Sequence, residues 1–150
     1  MNTTAWRGSA LLVLAGLGMA SAHAQDQGNC PQMPEGSGLT WEYRSSGDSD
    51  FCRALRADGS EAFGLYIARK SPFEPKRGNR AEAGVIDGQQ MYWYKGELAT
   101  RPNLEVRETL MELADGRVAH IWLQAEPQQL GATISEAQSI RFPSTRLSSK

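Results

Sequence analysis

The sequence predicts an α+β domain: an antiparallel β-sheet built from successive hairpins, with a C-terminal helix packed on it and one disulfide near the N-terminus. Three observations predict this. Asp-Gly occurs at Asp58-Gly59, Asp87-Gly88 and Asp115-Gly116, each time beside alternating apolar residues, and the pair suits two-residue hairpin turns, whose central residues need positive φ. Beyond residue 125 the period changes: behind Glu126-Pro127, with proline in the first turn, Leu130, Ile134 and Ala137 recur at helical spacing. Cys30 and Cys52, finally, are the only two cysteines in the chain.

The first residues place the protein. Arg7, an apolar run at residues 10–20 (ALLVLAGLGMA) and Ala22-His23-Ala24 make the pattern of an export signal cut before Gln25. The apolar run is shorter than the roughly 20 residues a membrane-spanning helix needs, so the expectation is a periplasmic or secreted domain with no membrane span. In an oxidising compartment an even pair of cysteines reads as a disulfide between Cys30 and Cys52. A redox-active dithiol expects C-x-x-C spacing, which is missing. Removal of residues 1–24 leaves a chain of single-domain length. Lys and Arg number 16 against 17 Asp and Glu, so no basic excess drives sequence-independent nucleic-acid binding, and no nucleic-acid partner is expected. A charged fraction of 22% beside 40% hydrophobic is that of a folded globule.

Residues 25–39, rich in Gly, Pro and polar side chains, read as an irregular arm that only the disulfide fastens to a domain over residues 40–142. Residues 39–43 (LTWEY) alternate like a strand. Residues 51–57 fit two states: a short helix capped by Ser49 and ended by Gly59, or, preferred, a strand that turns at Asp58-Gly59 into residues 61–68. The Asp87-Gly88 turn pairs residues 81–86 with 89–94, putting Tyr92 and Tyr94 on one face and Met91 and Trp93 on the other. At Asp115-Gly116 a two-residue turn sets Leu113 opposite Val118, Met111 opposite His120 and Thr109 opposite Trp122. Both faces of residues 118–123 are apolar, as in a central strand covered on two sides. Residues 140–142 can return as a short strand, and residues 143–150 have the composition of a frayed tail.

The closing order, an Asp115-Gly116 turn, a strand with His120-Ile121-Trp122-Leu123, a helix, then Ser139-Ile140-Arg141-Phe142, resembles the end of the Mog1/PsbP-like α/β/α sandwich proteins over roughly the last 40 residues. That resemblance implies a curved antiparallel sheet flanked by helices and used mainly for binding other proteins.

The residues allow little familiar catalysis. Past residue 24 the only histidine is His120, with no G-x-S-x-G elbow to serve it, and its apolar neighbours Ala119 and Ile121 read as those of a core histidine. A zinc site lacks ligands by count, and Asp48-Ser49-Asp50 begins like a calcium loop that Phe51 and Cys52 interrupt. Glu108 and Glu112, on one strand face, stand about 13 Å apart, too far for a concerted acid-base pair. Glu82, opposite Trp93, could have its pKa raised by desolvation, though an exposed edge-strand glutamate is the plainer reading. No nucleotide loop is present, and neither a metal nor a cofactor is expected.

Two features suit binding better. Residues 69–80 (RKSPFEPKRGNR) carry Arg69, Lys70, Lys76, Arg77 and Arg80 around Phe73, and residues 70–80 exceed the roughly two to five residues a hairpin connection needs. Tyr92 and Tyr94 offer rings for stacking or anchoring. The expectation is a non-catalytic protein-binding domain of the cell envelope, inhibitor or immunity-like, whose partner is another envelope or secreted protein. The alternative is a small cofactor-independent hydrolase or glycan-binding module, which should show a deep pocket with converging carboxylates.

Overall fold

The computed structural model describes residues 27–97 and 101–143; the expected export signal, its expected cleavage site and all of the expected tail except Pro143 lie outside them. Seven strands and one helix follow in order: β1 (Thr40–Ser46), β2 (Ser49–Leu55), β3 (Glu61–Ala68), β4 (Arg80–Ile86), β5 (Gln89–Gly96), β6 (Glu105–Glu112), β7 (Val118–Ala125) and α1 (Leu130–Gln138). They form one antiparallel sheet in the order β1-β2-β3-β7-β6-β5-β4, so β7 is its centre. The fold is α+β, with a disulfide joining Cys30 to Cys52. Residues 51–55 take the extended state as part of β2, with residues 56 and 57 in the connection to β3; β2 and β3 pair along their length, and no helix forms behind Ser49.

Only one of the three Asp-Gly pairs makes the expected two-residue turn. Asp87 and Gly88 both have positive φ (48° and 81°), and Ile86 pairs with Gln89. At the other two, glycine alone is left-handed, Gly59 at 82° and Gly116 at 83°, and the loops hold three residues: the Leu113 amide donates to the Arg117 carbonyl, and the Arg56 amide to the Ser60 carbonyl. A turn followed by a left-handed glycine is the second common hairpin connection. The extra residue shifts the register by one and exchanges faces. Met111 therefore faces Ala119, Leu110 faces His120 and Glu108 faces Trp122, in place of the partners expected above. A fourth tight hairpin joins β1 to β2 through Gly47-Asp48, which the sequence reading had not marked; its glycine (φ 59°) takes the first central position.

The hairpins are not successive in space. β2–β3 and β4–β5 lie on opposite sides of β7 and β6, so the chain leaving β3 must cross β7, β6 and β5 to reach the far edge. Four strand spacings make about 20 Å. The length of residues 69–79 follows from that crossing, not from a hairpin that is too long.

One face of the sheet packs under α1, which touches β7, β3 and β4. Phe63, Leu65, Ile121, Leu123 and Trp93 are fully buried there, with Ile134 and Ala137 of α1 and Ile140 behind it. An ion pair between Arg56 and Glu136 at 2.8 Å ties helix to sheet. The layer implied by the sandwich resemblance on the other face is missing: among the described residues one helix covers one face. β7 is central but not covered on both sides by secondary structure. Residues 140–142 form a single bridge, Gln32 with Arg141, where a strand was expected.

The arm is fastened by more than its disulfide. The Trp41 indole N–H donates to the Pro31 carbonyl at 2.8 Å, and Gln32 and Arg141 exchange backbone hydrogen bonds. Asp50, 4% exposed, collects the Tyr43 hydroxyl, the Asn29 amide and the Arg117 guanidinium at 2.7, 3.1 and 3.0 Å. Burying a carboxylate is tolerable only when its lone pairs are satisfied in this way. The aspartate that looked like a calcium ligand thus joins arm, β1 and the β6–β7 turn.

Candidate functional site

On the face opposite α1 the antiparallel register lines up two rows of side chains across the sheet. One runs Arg44, Phe51, Tyr66, His120, Leu110; the other runs Arg53, Gly64, Trp122, Glu108, Tyr94, Arg80. Cross-strand neighbours on one face stand about 5 Å apart, so aromatic residues in adjacent strands must meet. Phe51 and Tyr66 do, with ring centroids 4.7 Å apart; along β7 itself, His120 and Trp122 lie at 5.5 Å.

Gly64 explains the posture of Trp122. A Cβ at this position would run into the indole Cζ2, so the ring lies flat over the glycine, with its Nε1–H donating to Glu61 at 3.2 Å. Glu61 is held in turn by the Arg53 guanidinium at 2.8 Å. A glycine inside a strand commonly marks such a close approach. Gly64→Ala is expected to lift the indole, break its bond to Glu61 and destabilise the fold by about 1–3 kcal/mol, the usual penalty of overpacking. Urea denaturation and tryptophan emission measure both effects; an unchanged emission spectrum would show that the ring does not rest on Gly64.

His120 is not in the core beneath α1. The one-residue shift at Gly116 turns it to the open face, where its side chain is 13% exposed and its Nε2 lies 3.0 Å from a Glu108 carboxylate oxygen. Its cover is Phe73, stacked nearly parallel (7°) at 4.8 Å, and Phe73 also meets Tyr94 edge-on at 6.1 Å. The crossing loop is thereby pinned to the middle of the sheet. At its far end the Arg80 guanidinium sits 4.3 Å above the Tyr92 ring, a cation–π contact.

Of the residues singled out from sequence, Phe73, Arg80, Tyr92 and Tyr94 come together in these contacts. Arg69, Lys70, Lys76 and Arg77 are exposed along the loop, and none of them forms an ion pair among the described residues. Cys30 and Cys52 lie on the α1 side, away from this face. The sequence reading missed Phe51, Tyr66 and Trp122 and placed His120 in the core. The signal that could have found them was Gly64, a glycine between apolar residues of a strand.

Beside the loop, Ser46, Ser49, Phe51, Tyr66, Pro72, His120 and Trp122 line a cleft of about 310 Å³. Ser49 Oγ and the Tyr66 hydroxyl are hydrogen-bonded at 2.8 Å. No carboxylate lines it. Glu82 lies on the other side of the sheet's outer half, where Arg107, 5% exposed, donates to both of its oxygens at 2.7 and 2.9 Å. That guanidinium holds the Glu82 carboxyl below its ordinary range and outweighs the desolvation that could have raised it. Among the described residues no group of three or more His, Cys, Asp or Glu could hold a metal ion, and no helix is long and apolar enough to cross a membrane.

Comparisons with models of protein families, with curated proteins and with solved structures find no match to this chain.

Proposed function

We propose that this chain is a non-catalytic protein-binding domain of the cell envelope, inhibitor or immunity-like, and that its contact surface is the open face of the sheet together with residues 69–79. The observation that supports this most is the cation-rich loop held over two aromatic rows by Phe73 on His120. Five exposed cations, Arg69, Lys70, Lys76, Arg77 and Arg80, share the loop region with Glu74 alone, on a protein whose net charge is slightly negative. A local positive field of that kind steers an acidic partner and acts mainly on the association rate. Export to the periplasm or beyond rests on the leader pattern and agrees with the disulfide, which persists in oxidising compartments. The hydrolase alternative wants converging carboxylates, and here Glu108 is engaged by His120 and Glu61 by Arg53 and Trp122. A glycan-binding module would use the same rings without explaining the cations.

The test replaces Arg69, Lys70, Lys76 and Arg77 together by Ser, leaving Arg80 on Tyr92. The variant should melt as the parent does, because all four side chains are exposed. Its association with a partner captured from envelope extract should slow by about tenfold or more and lose most of its salt dependence. An unchanged on-rate with the same salt slope would reduce the loop to a crossing connection.

A further inference from the structure

We infer that the cleft beside the loop is the anchor pocket of this surface, and that it takes a tyrosine side chain carried on an acidic stretch of the partner. The inference rests on the reading of the open face as a protein-binding surface and specifies the chemistry of what binds there. The walls are the rings of Phe51, Tyr66, His120 and Trp122 with Pro72, around about 310 Å³. That is space for one aromatic side chain, whose burial dominates interface energetics. The pocket is already formed: Trp122 is held flat by Gly64 and Glu61, so little ordering opposes binding. Phe51, 42% exposed, is among the few large apolar side chains that the described residues leave open to solvent.

The polar groups select among anchors. Ser46, Ser49 and Tyr66 bring hydroxyl groups to the lining, each able to donate and accept, and a phenol hydroxyl can join the Ser49–Tyr66 pair. A leucine would fill the rings but leave those hydroxyls out of water without a new partner, which is unfavourable. A carboxylate or phosphate would find no Arg or Lys in the lining. The cations nearest in the chain are Arg69 and Lys70, both exposed, in the segment that leaves β3 and supplies Pro72 to the lining. A ring-walled centre without Arg or Lys, next to an exposed cation-rich loop, fits a tyrosine flanked by Asp or Glu.

The experiment titrates the exported protein, at low and physiological salt, with a random copolymer of glutamate and tyrosine and with poly-glutamate of the same length. Binding is read by tryptophan emission and by calorimetry. The copolymer should bind about tenfold or more tighter than poly-glutamate and shift the emission of Trp122, Trp41 and Trp93 being buried. Phe51→Ser should remove the preference for the copolymer and keep the weak binding of poly-glutamate. Tyr66→Phe, which alters only the hydroxyl, should reduce the preference about fivefold and carries the test if Phe51→Ser folds poorly. Equal binding of both polymers, or a preference that survives both substitutions, overturns the anchor pocket and leaves the acidic-partner reading standing. Binding of neither polymer at low salt overturns both.

Discussion

Replacing Phe63 by Ala is expected to destabilise the protein by about 3–5 kcal/mol, the range for losing a buried phenylalanine. Phe63 is fully buried in β3 beneath α1. Its cross-strand neighbour is Ala54, and its ring meets Trp41 of β1 edge-on at 5.7 Å. Ala54 is too small to move into the vacated space, and Trp41 is tethered by its indole hydrogen bond to Pro31, so the cavity cannot close by a simple side-chain shift. Phe63→Leu keeps much of the volume and should lose about 1.5 kcal/mol or less. Urea denaturation of both variants measures the difference. A loss below about 1 kcal/mol for Phe63→Ala would mean that the corner between β1, β3 and the arm repacks freely.

Replacing Cys30 and Cys52 together by Ala should lower stability by about 2–5 kcal/mol. The bridge closes a sequence separation of 22 residues, with its Cα atoms 5.8 Å apart, and Cys52 is fully buried in β2. The chain-entropy account gives about 3 kcal/mol for a loop of that length. The arm should stay on the sheet without it, because Trp41, Gln32 and Asn29 hold it by hydrogen bonds of their own. The expected result is therefore a lower denaturation midpoint, faster proteolysis within residues 27–39 and an intact circular-dichroism signature of the sheet. A variant that unfolds outright would show that those hydrogen bonds form only after the bridge. Phe63 and the bridge meet at the same corner, through Trp41 and Pro31, so combining the substitutions should depart from additivity by about 0.5 kcal/mol or more.

The sequence carried the hairpins of β2–β3, β4–β5 and β6–β7 and the helix α1 in its local pattern. Alternation, Asp-Gly turns and a stripe at helical period are short-range signals, and each acts within a few residues of the element it forms. It also carried the disulfide, since two cysteines leave a single pairing. The candidate site was half legible. Phe73, Arg80, Tyr92 and Tyr94 stood out by residue type, while His120 was misplaced because the difference between a two-residue and a three-residue turn at Asp115-Gly116 decides which face of β7 it occupies. That difference lies in one dihedral, positive φ at Gly116 without positive φ at Asp115, and the dipeptide is compatible with either turn.

By itself, then, the sequence determined which segments extend, which turn and which coil, because those choices depend on neighbours in the chain. The tertiary structure alone decided that β3 lies beside β7 and not β4, that residues 69–79 consequently cross the open face, and that Phe73 meets His120 some way along that crossing. Each of these depends on contacts between residues far apart in sequence, and loop-closure entropy weighs similarly on the alternative strand orders. What separates them is burial: the observed order sets Phe63, Leu65, Ile121, Leu123 and Trp93 side by side under α1, and the same order brings the aromatic rows together on the other face.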